Sequence, residues 1–356
     1  MKRFLFALAA VSLAAGCGDA AKKDAAGGSA AQAPATTSGA DLTGAGATFP
    51  YPLYSRWFSD YAARSSVRIN YQSIGSGGGI RQLLEKTVDF GATDAPMSDA
   101  ELAKSTAGSI LHFPMTLGAV VITYNLPGVA IPLHLTGEVV AAIYQGQVTR
   151  WNDARIASLN AGVQLPATDI LVVHRSDGSG TSYVFTDYLA TVSPAWATKP
   201  GKGKEVQWPT GLGAKGNEGV AGQVKQTPGA IGYVELAYAT QNKLATAMLK
   251  NAAGEYTAPS TASVTAAAAG AAAVLPATTD YRVSIVNAKG AGAYPIASFT
   301  WIILYQHQAD PVKGKQMTDF LRWALTDGQA AAAPLDYAPL PESMRTSLVQ
   351  RLSTIQ

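Results

Sequence analysis

Arg175, Ser176, Asp177, Gly178, Ser179, Gly180 and Thr181 stand consecutively, and almost every one of them can donate to an oxyanion or make room for one. The guanidinium offers a planar fork of N–H groups shaped for phosphate or carboxylate. The two glycines let an oxygen-rich ligand approach the backbone, and the hydroxyls add donors. Ile170 to Val173 ahead of the run reads as a buried strand, and Ser182 to Leu189 behind it has the apolar spacing of a helix. The run therefore sits where a helix begins, with unpaired backbone N–H groups and the positive end of the macrodipole. Taken alone it equally suits a plain strand-to-helix turn. Asp94 closes the short strand-like run from Val88 and falls near a strand end, where open α/β sheets bind ligands. A carboxylate repels an anion unless the anion brings a proton. Hydrogen phosphate brings one and sulfate at neutral pH does not. The plain alternative is a turn former ahead of Pro96.

Two further helix starts carry hydroxyls. Thr48, within Thr43-Gly44-Ala45-Gly46-Ala47-Thr48-Phe49-Pro50, is expected to cap a helix running through Leu53, Trp57 and Tyr61. Phe49 stands where the dinucleotide fingerprint needs its third glycine, so that reading has little support. Ser76 follows the alternating run Val67 to Ile74 and precedes Gly77, Gly78 and Gly79. A phosphate loop of the nucleotidase type would need Gly-Lys-Ser/Thr there. Ser76 is read either as a helix N-cap or as an anion contact.

The elements that must position these residues are spread over 356 residues, enough for about two domains. Leu117 to Asn125 is a β-rich run suited to crossing between lobes, and Ser298 to Tyr305 is a buried strand candidate for the first lobe. Glu138–Tyr144, Trp151–Ile156, Ala262–Leu275 and Asp319–Leu325 read as helical pieces. The formal charge of +3 gives no case for nucleic-acid binding by bulk electrostatics. Lysines between Lys199 and Asn217 share no sustained face and read as a surface loop. At the other end, Met1-Lys2-Arg3 followed by apolar residues from Phe4 to Ala15 has the layout of a signal peptide. Cys17, the single cysteine, follows Leu13-Ala14-Ala15-Gly16 and resembles the lipidated residue of a bacterial lipoprotein. Plain secretion is the other reading. Residues 18–40 have almost no large apolar side chain and read as a tether. Such a chain holds a domain roughly 25 to 30 Å from its anchor.

Taken in order, these motifs resemble the periplasmic phosphate-binding proteins of bacterial high-affinity phosphate ABC transporters. Ile74-Gly75-Ser76, Val88 to Pro96, Trp208-Pro209-Thr210-Gly211-Leu212-Gly213 and Gly229 to Glu235 fit as well, so the likeness runs from about Leu42 to the end of the chain. The resemblance implies an α/β fold of the type II periplasmic binding class, with two lobes, a hinge and a ligand cleft between them. Lobe I is expected over residues 41–115 and 291–356, and lobe II over 116–290. Residues 1–16 would be the signal peptide and 17–40 the lipidated cysteine and tether.

The resemblance also implies roles. Thr48 and Ser76 would donate to inorganic phosphate through hydroxyl and backbone, Phe49 through its N–H, and Arg175 through its guanidinium. Ser179, Gly180 and Thr181 would complete the set, Asp94 would accept the phosphate proton, and Asp177 would hold the Arg175 fork. No metal and no cofactor is expected. The implied partners are a membrane permease with its ATPase, reached by a monomer on a lipid anchor in the extracytoplasmic space. Gly77 and His174 depart from common family residues, and His174 would add a pH-dependent charge near the cleft. Three other functions compete: a receptor for another tetrahedral oxyanion, a phosphoester hydrolase and a surface adhesin. The hydrolase would use Ser179 as nucleophile with Asp94 or His174 as base, but Gly178-Ser179-Gly180 is not the G-x-S-x-G elbow. The adhesin would explain the tether and leave the helix starts unexplained.

Overall fold

The computed structural model describes residues 41–270 and 280–356. The signal peptide, Cys17 and the tether lie outside the described residues. Twelve strands follow in chain order among those described: β1 Leu42–Gly46, β2 Ile69–Ser73, β3 Phe90–Thr93, β4 Ile110–Tyr124, β5 His134–Leu135, β6 Leu171–Arg175, β7 Leu212–Ala214, β8 Ala230–Glu235, β9 Ala245–Thr246, β10 Met248–Lys250, β11 Tyr256–Thr257 and β12 Ala297–Tyr305. Nine of them form one curled sheet in the order β2-β1-β3-β12-β4-β8-β6-β7, with β9 beside β4. Strands β11, β10 and β5 make a small second sheet.

The lobes are two halves of that sheet joined through β4. β12 pairs with β4 from Tyr305↔Ile110 to Ala297↔Ala119, and β8 takes over at Val120↔Glu235. One strand thus serves a parallel β2-β1-β3 set on one side and a parallel β8-β6-β7 set on the other. All fifteen residues of β4 and all nine of β12 are buried. A strand buried on both faces reads as a continuous apolar run, and Leu117 to Tyr124 does so. The part from Ile110 does not, because His112 and Pro114 interrupt it. Pro114 cannot donate to the ladder. The register of β12 shifts between Thr300 and Trp301, where Trp301 lies opposite Pro114, so an irregularity accommodates the proline.

Helices cover the sheet much as their apolar spacing suggests. Tyr51–Ser65 buries Leu53, Tyr54, Trp57, Phe58 and Tyr61, and Pro311–Leu325 extends the expected closing helix towards its start, where Asp310 caps it. Trp151 is buried in a turn that bonds Gly229 O, and only Ala154–Ala157 of that piece is helical. Residues 280–282 are tied to the first half of the sheet. Asp280 Oδ2 meets the buried His112 Nδ1 at 2.7 Å and also pairs with Arg351, while Arg282 donates to Met97 O at 3.0 Å and Asp99 Oδ1 at 2.8 Å.

Candidate functional site

Arg175 ends β6 and is 3% exposed. Its Nε donates to Asp177 Oδ1 at 2.7 Å and its Nη2 to Asp177 Oδ2 at 2.5 Å, and Gly216 N adds a third donor to Asp177 Oδ1 at 3.1 Å. Burial alone would raise the Asp177 carboxyl, but the Arg175 bonds and charge outweigh it and hold the pKa below the usual carboxylate range. The pair leaves Nη1 for other partners, and it reaches Thr181 Oγ1 at 3.4 Å. Two residues on, Ser179 caps the helix Gly180–Val192 by accepting Ser182 N–H on its Oγ at 2.9 Å. The first N–H of that helix and a carbonyl just before it are bonded across the lobes. Gly180 N donates to Ser76 Oγ at 3.1 Å, and Gly77 N donates to Gly178 O at 2.8 Å.

Ser76 is the first residue of the helix Ser76–Leu84, and Gly75 at φ +90° is the N-cap, so the cap expected of Ser76 belongs to its neighbour. Only glycine tolerates that backbone easily, and a Cβ there would also fall on the Asp177 carboxylate. Freed from capping, Ser76 Oγ accepts Gly180 N–H and, at 3.2 Å, Asp94 N–H. Both its lone pairs are then engaged, and its proton is left to donate elsewhere.

Thr48 likewise is not a side-chain cap. Pro50 holds the N-cap position of Tyr51–Ser65, and Tyr51 N–H bonds Thr48 O at 3.1 Å. The Thr48–Phe49 loop is instead braced from behind by two tyrosines. Tyr238 donates to Thr48 O at 2.6 Å and Tyr337 to Phe49 O at 2.7 Å.

Asp94, at the end of β3, is 1% exposed. Thr300 Oγ1 donates to its Oδ1 at 2.9 Å, while its Oδ2 is buried with no hydrogen-bond partner among the described residues. Burial pushes its pKa up to about 7, against the opposing effects of the Thr300 bond, the Arg175 charge and the nearby Thr181 hydroxyl. A single unsatisfied acceptor oxygen thus stands among donors from Ser76, Arg175, Gly180 and Thr181. Such a constellation suits an oxyanion that carries one proton of its own.

The structure brings Thr48, Ser76, Asp94, Arg175, Gly180 and Thr181 together, with Phe49 and Ser179 adjoining in sequence. His174 stacks on Trp208 with ring centroids 4.8 Å apart and engages Arg175 O through Nδ1. Burial lowers its pKa, so it is neutral at pH 7 and adds no charge to the site. Sequence reasoning missed Asn217, Thr300, Tyr233, Tyr238 and Tyr337. Each acts through a bond to a residue far away in the chain, so even Asn217 and Tyr233, which stand beside glycines, carry no local sign of their partners. It also missed Lys204, read as part of a surface loop, which pairs with Glu101 across the lobes at 2.8 Å.

Gly180 makes a close approach that no other residue could. A Cβ there would collide with Ser76 Oγ and lie 2.6 Å from Asp94 Oδ2 and 2.7 Å from Asp94 N. Gly180→Ala is therefore expected to obstruct closure and weaken anion binding roughly 10- to 100-fold, the equivalent of the usual 1–3 kcal/mol of overpacking. Its melting temperature without ligand should match the parent's, because open lobes have room for the methyl. Calorimetric titration with parallel thermal melts checks both halves.

Among the described residues no group of three or more His, Cys, Asp and Glu side chains could hold a metal ion. None of the described helices is long and apolar enough to cross a membrane.

A family model described as the PBP superfamily domain matches residues 30–328. The chain is 47% identical over 310 residues to the phosphate-binding protein PstS of Pasteurella multocida, covering 87% of this chain and 89% of that protein. It is also 47% identical over 309 residues to the PstS protein of Xylella fastidiosa strain Temecula1, covering 86% and 84%. Among solved structures, a phosphate-binding protein from Stenotrophomonas maltophilia superposes with a TM-score of 0.65 at 22% identity, covering 87% of this chain and 93% of that one. That likeness bears on the fold.

Proposed function

The chain belongs to the PBP superfamily and, within it, to the family of phosphate-binding PstS proteins, and on that premise we propose that it captures inorganic phosphate and delivers it to a membrane ABC permease and ATPase. The observation that carries this reading is Asp94 Oδ2, a buried acceptor without a partner among the described residues, set among N–H and O–H donors. Thr48, Phe49, Ser76, Arg175, Ser179, Gly180 and Thr181 supply the donors, Asp177 fixes the Arg175 fork, and Asp94 takes the proton of hydrogen phosphate. An aprotic anion of the same shape leaves the Asp94 carboxylate facing negative oxygen, which is a repulsive arrangement and a basis for refusing sulfate.

Lobe I, residues 41–115 with 291–356, and lobe II, residues 116–290, close about a hinge, the bonds of residues 280–282 to the first half of the sheet running between them. Phosphate favours the closed state because only there do both lobes touch it. The protein works outside the cytoplasm as a monomer held by a lipid on Cys17, with residues 18–40 as the tether. Binding without turnover fits the details. Ser179 Oγ is occupied as a helix cap and His174 is committed to Trp208 and the backbone, which weighs against a Ser179–His174 nucleophile pair.

The test is calorimetric titration with phosphate and then sulfate, after unfolding and refolding to strip bound ligand. One phosphate per chain with no sulfate heat is expected. Sulfate bound as tightly as phosphate would make this a general oxyanion receptor, and no heat from either would remove the receptor reading.

A further inference from the structure

Asn217 is the second residue of the helix Gly216–Gln226 and is completely buried. Its Oδ1 accepts Glu235 N–H at 2.8 Å, which fixes the orientation of the amide. Its Nδ2 then points both protons at hydroxyl oxygens, Thr48 Oγ1 at 2.8 Å and Thr181 Oγ1 at 3.0 Å. A flipped amide would set its NH2 against the Glu235 N–H, donor against donor.

A threonine hydroxyl has one proton and two lone pairs. Thr48 Oγ1 receives Asn217 Nδ2 and also Asn217 N at 3.2 Å, so both lone pairs are taken. Thr181 Oγ1 receives Asn217 Nδ2 and Arg175 Nη1, so both of its lone pairs are taken too. Each hydroxyl is left able only to donate. Resting on the phosphate reading above, we propose that Asn217 is a positioning residue that fixes both threonine hydroxyls as donors to the bound anion. It thereby leaves Asp94 as the acceptor that reads the ligand's proton. Thr48 stands in the opposite lobe, so its orientation is imposed as the lobes meet. Two ambiguous groups become directional at the moment of capture.

A double-mutant cycle tests this. Asn217→Ala, Asn217→Leu, Thr48→Val, Thr181→Val and the combinations are titrated with phosphate, and melted without it. Each Asn217 variant should lose on the order of 10- to 100-fold in phosphate affinity, the scale of losing control over two hydrogen bonds to a charged ligand. In the Thr48→Val, Thr181→Val background the same change should cost at most about threefold, because the hydroxyls it orients are gone. A merely structural asparagine would weaken binding equally in both backgrounds. Leucine keeps the side-chain bulk, so the cycle stands even where alanine lowers the melting temperature. Losses that add across the cycle would overturn the inference while leaving phosphate binding by the parent intact. A parent that takes up no phosphate would instead bring down the receptor reading and this inference with it.

Discussion

Asp94→Asn is expected to admit sulfate and to cut the phosphate-to-sulfate affinity ratio by about a thousandfold, out of the ~10⁴ to 10⁵ that buried hydrogen-bond pairing can sustain. The direction follows from which oxygen is engaged. Thr300 donates to Oδ1, so the asparagine carbonyl takes that bond and its NH2 falls where Oδ2 stood. A lone acceptor becomes a donor. Sulfate then meets donors on every side, while the proton of hydrogen phosphate finds no acceptor. Competitive titration of the variant with the two anions reads the ratio, and an unchanged ratio would sink the assignment of Asp94 as proton acceptor.

The same substitution has a signature in stability that needs no ligand. With a folded pKa of about 7 against 3.8, Asp94 takes up a proton on folding between those values. The folded state is then the one that binds more protons, so stability falls as pH rises. Its contribution is fully present below about pH 4 and is lost as pH rises through about 7. Asparagine removes that loss. The variant should match the parent near pH 4 and exceed it above pH 7, by at most about 4 kcal/mol at 1.36 kcal/mol per pKa unit. Lobe opening, which hydrates the carboxylate, takes up part of that difference. Thermal melts of ligand-free protein across pH 4 to 8 provide the check.

Asp94 was legible in the sequence because its strand and loop are contiguous, and because a carboxylate among anion donors demands an explanation. The run Arg175 to Thr181 was legible for the same reason, since strand, cap and helix start are written in adjacent residues. The rest of the site is tertiary. Asn217 lies 169 positions from Thr48, and Thr300 lies 206 from Asp94, so neither periodicity nor local motif reports them. The tyrosines behind the Thr48–Phe49 loop are hidden differently. Tyr238 and Tyr337 have the burial and spacing of core aromatics, and only their hydroxyl partners set them apart. The fold shows the same division. The ends of β4 and β12 that read as apolar runs were foreseeable, but the stretch through His112 and Pro114 depends on a register shift between the two strands beside Pro114. The misplaced caps are local errors of a single kind. A hydroxyl at a helix start looks like a cap until a second lobe supplies its donors.

Arg175→Met should cost about 3–5 kcal/mol in phosphate binding, or roughly 100- to several-thousand-fold in affinity, the range found when one partner of a buried ionic contact is removed. Methionine fills much of the volume but brings no charge and no donor. Part of the harm would fall on the protein itself, since Asp177 keeps backbone N–H donors such as Gly216 but loses the guanidinium and its charge. Asp177 now has a depressed pKa, so it contributes stability above the unfolded value, and that stability is lost as pH falls through the folded one. The variant should lack that acid-side loss. Asp94 also loses an opposing positive charge, so its ionisation should move further upward. Two companions separate binding from folding. Arg175→Lys keeps the charge without the fork that grips Asp177 through Nε and Nη2, and should fall between parent and methionine variant. Arg175→Met with Asp177→Leu removes both charges and should regain stability at pH 7 without regaining phosphate affinity. Recovery of affinity in that double variant would mean that the guanidinium serves the fold alone, with no direct part in holding the anion.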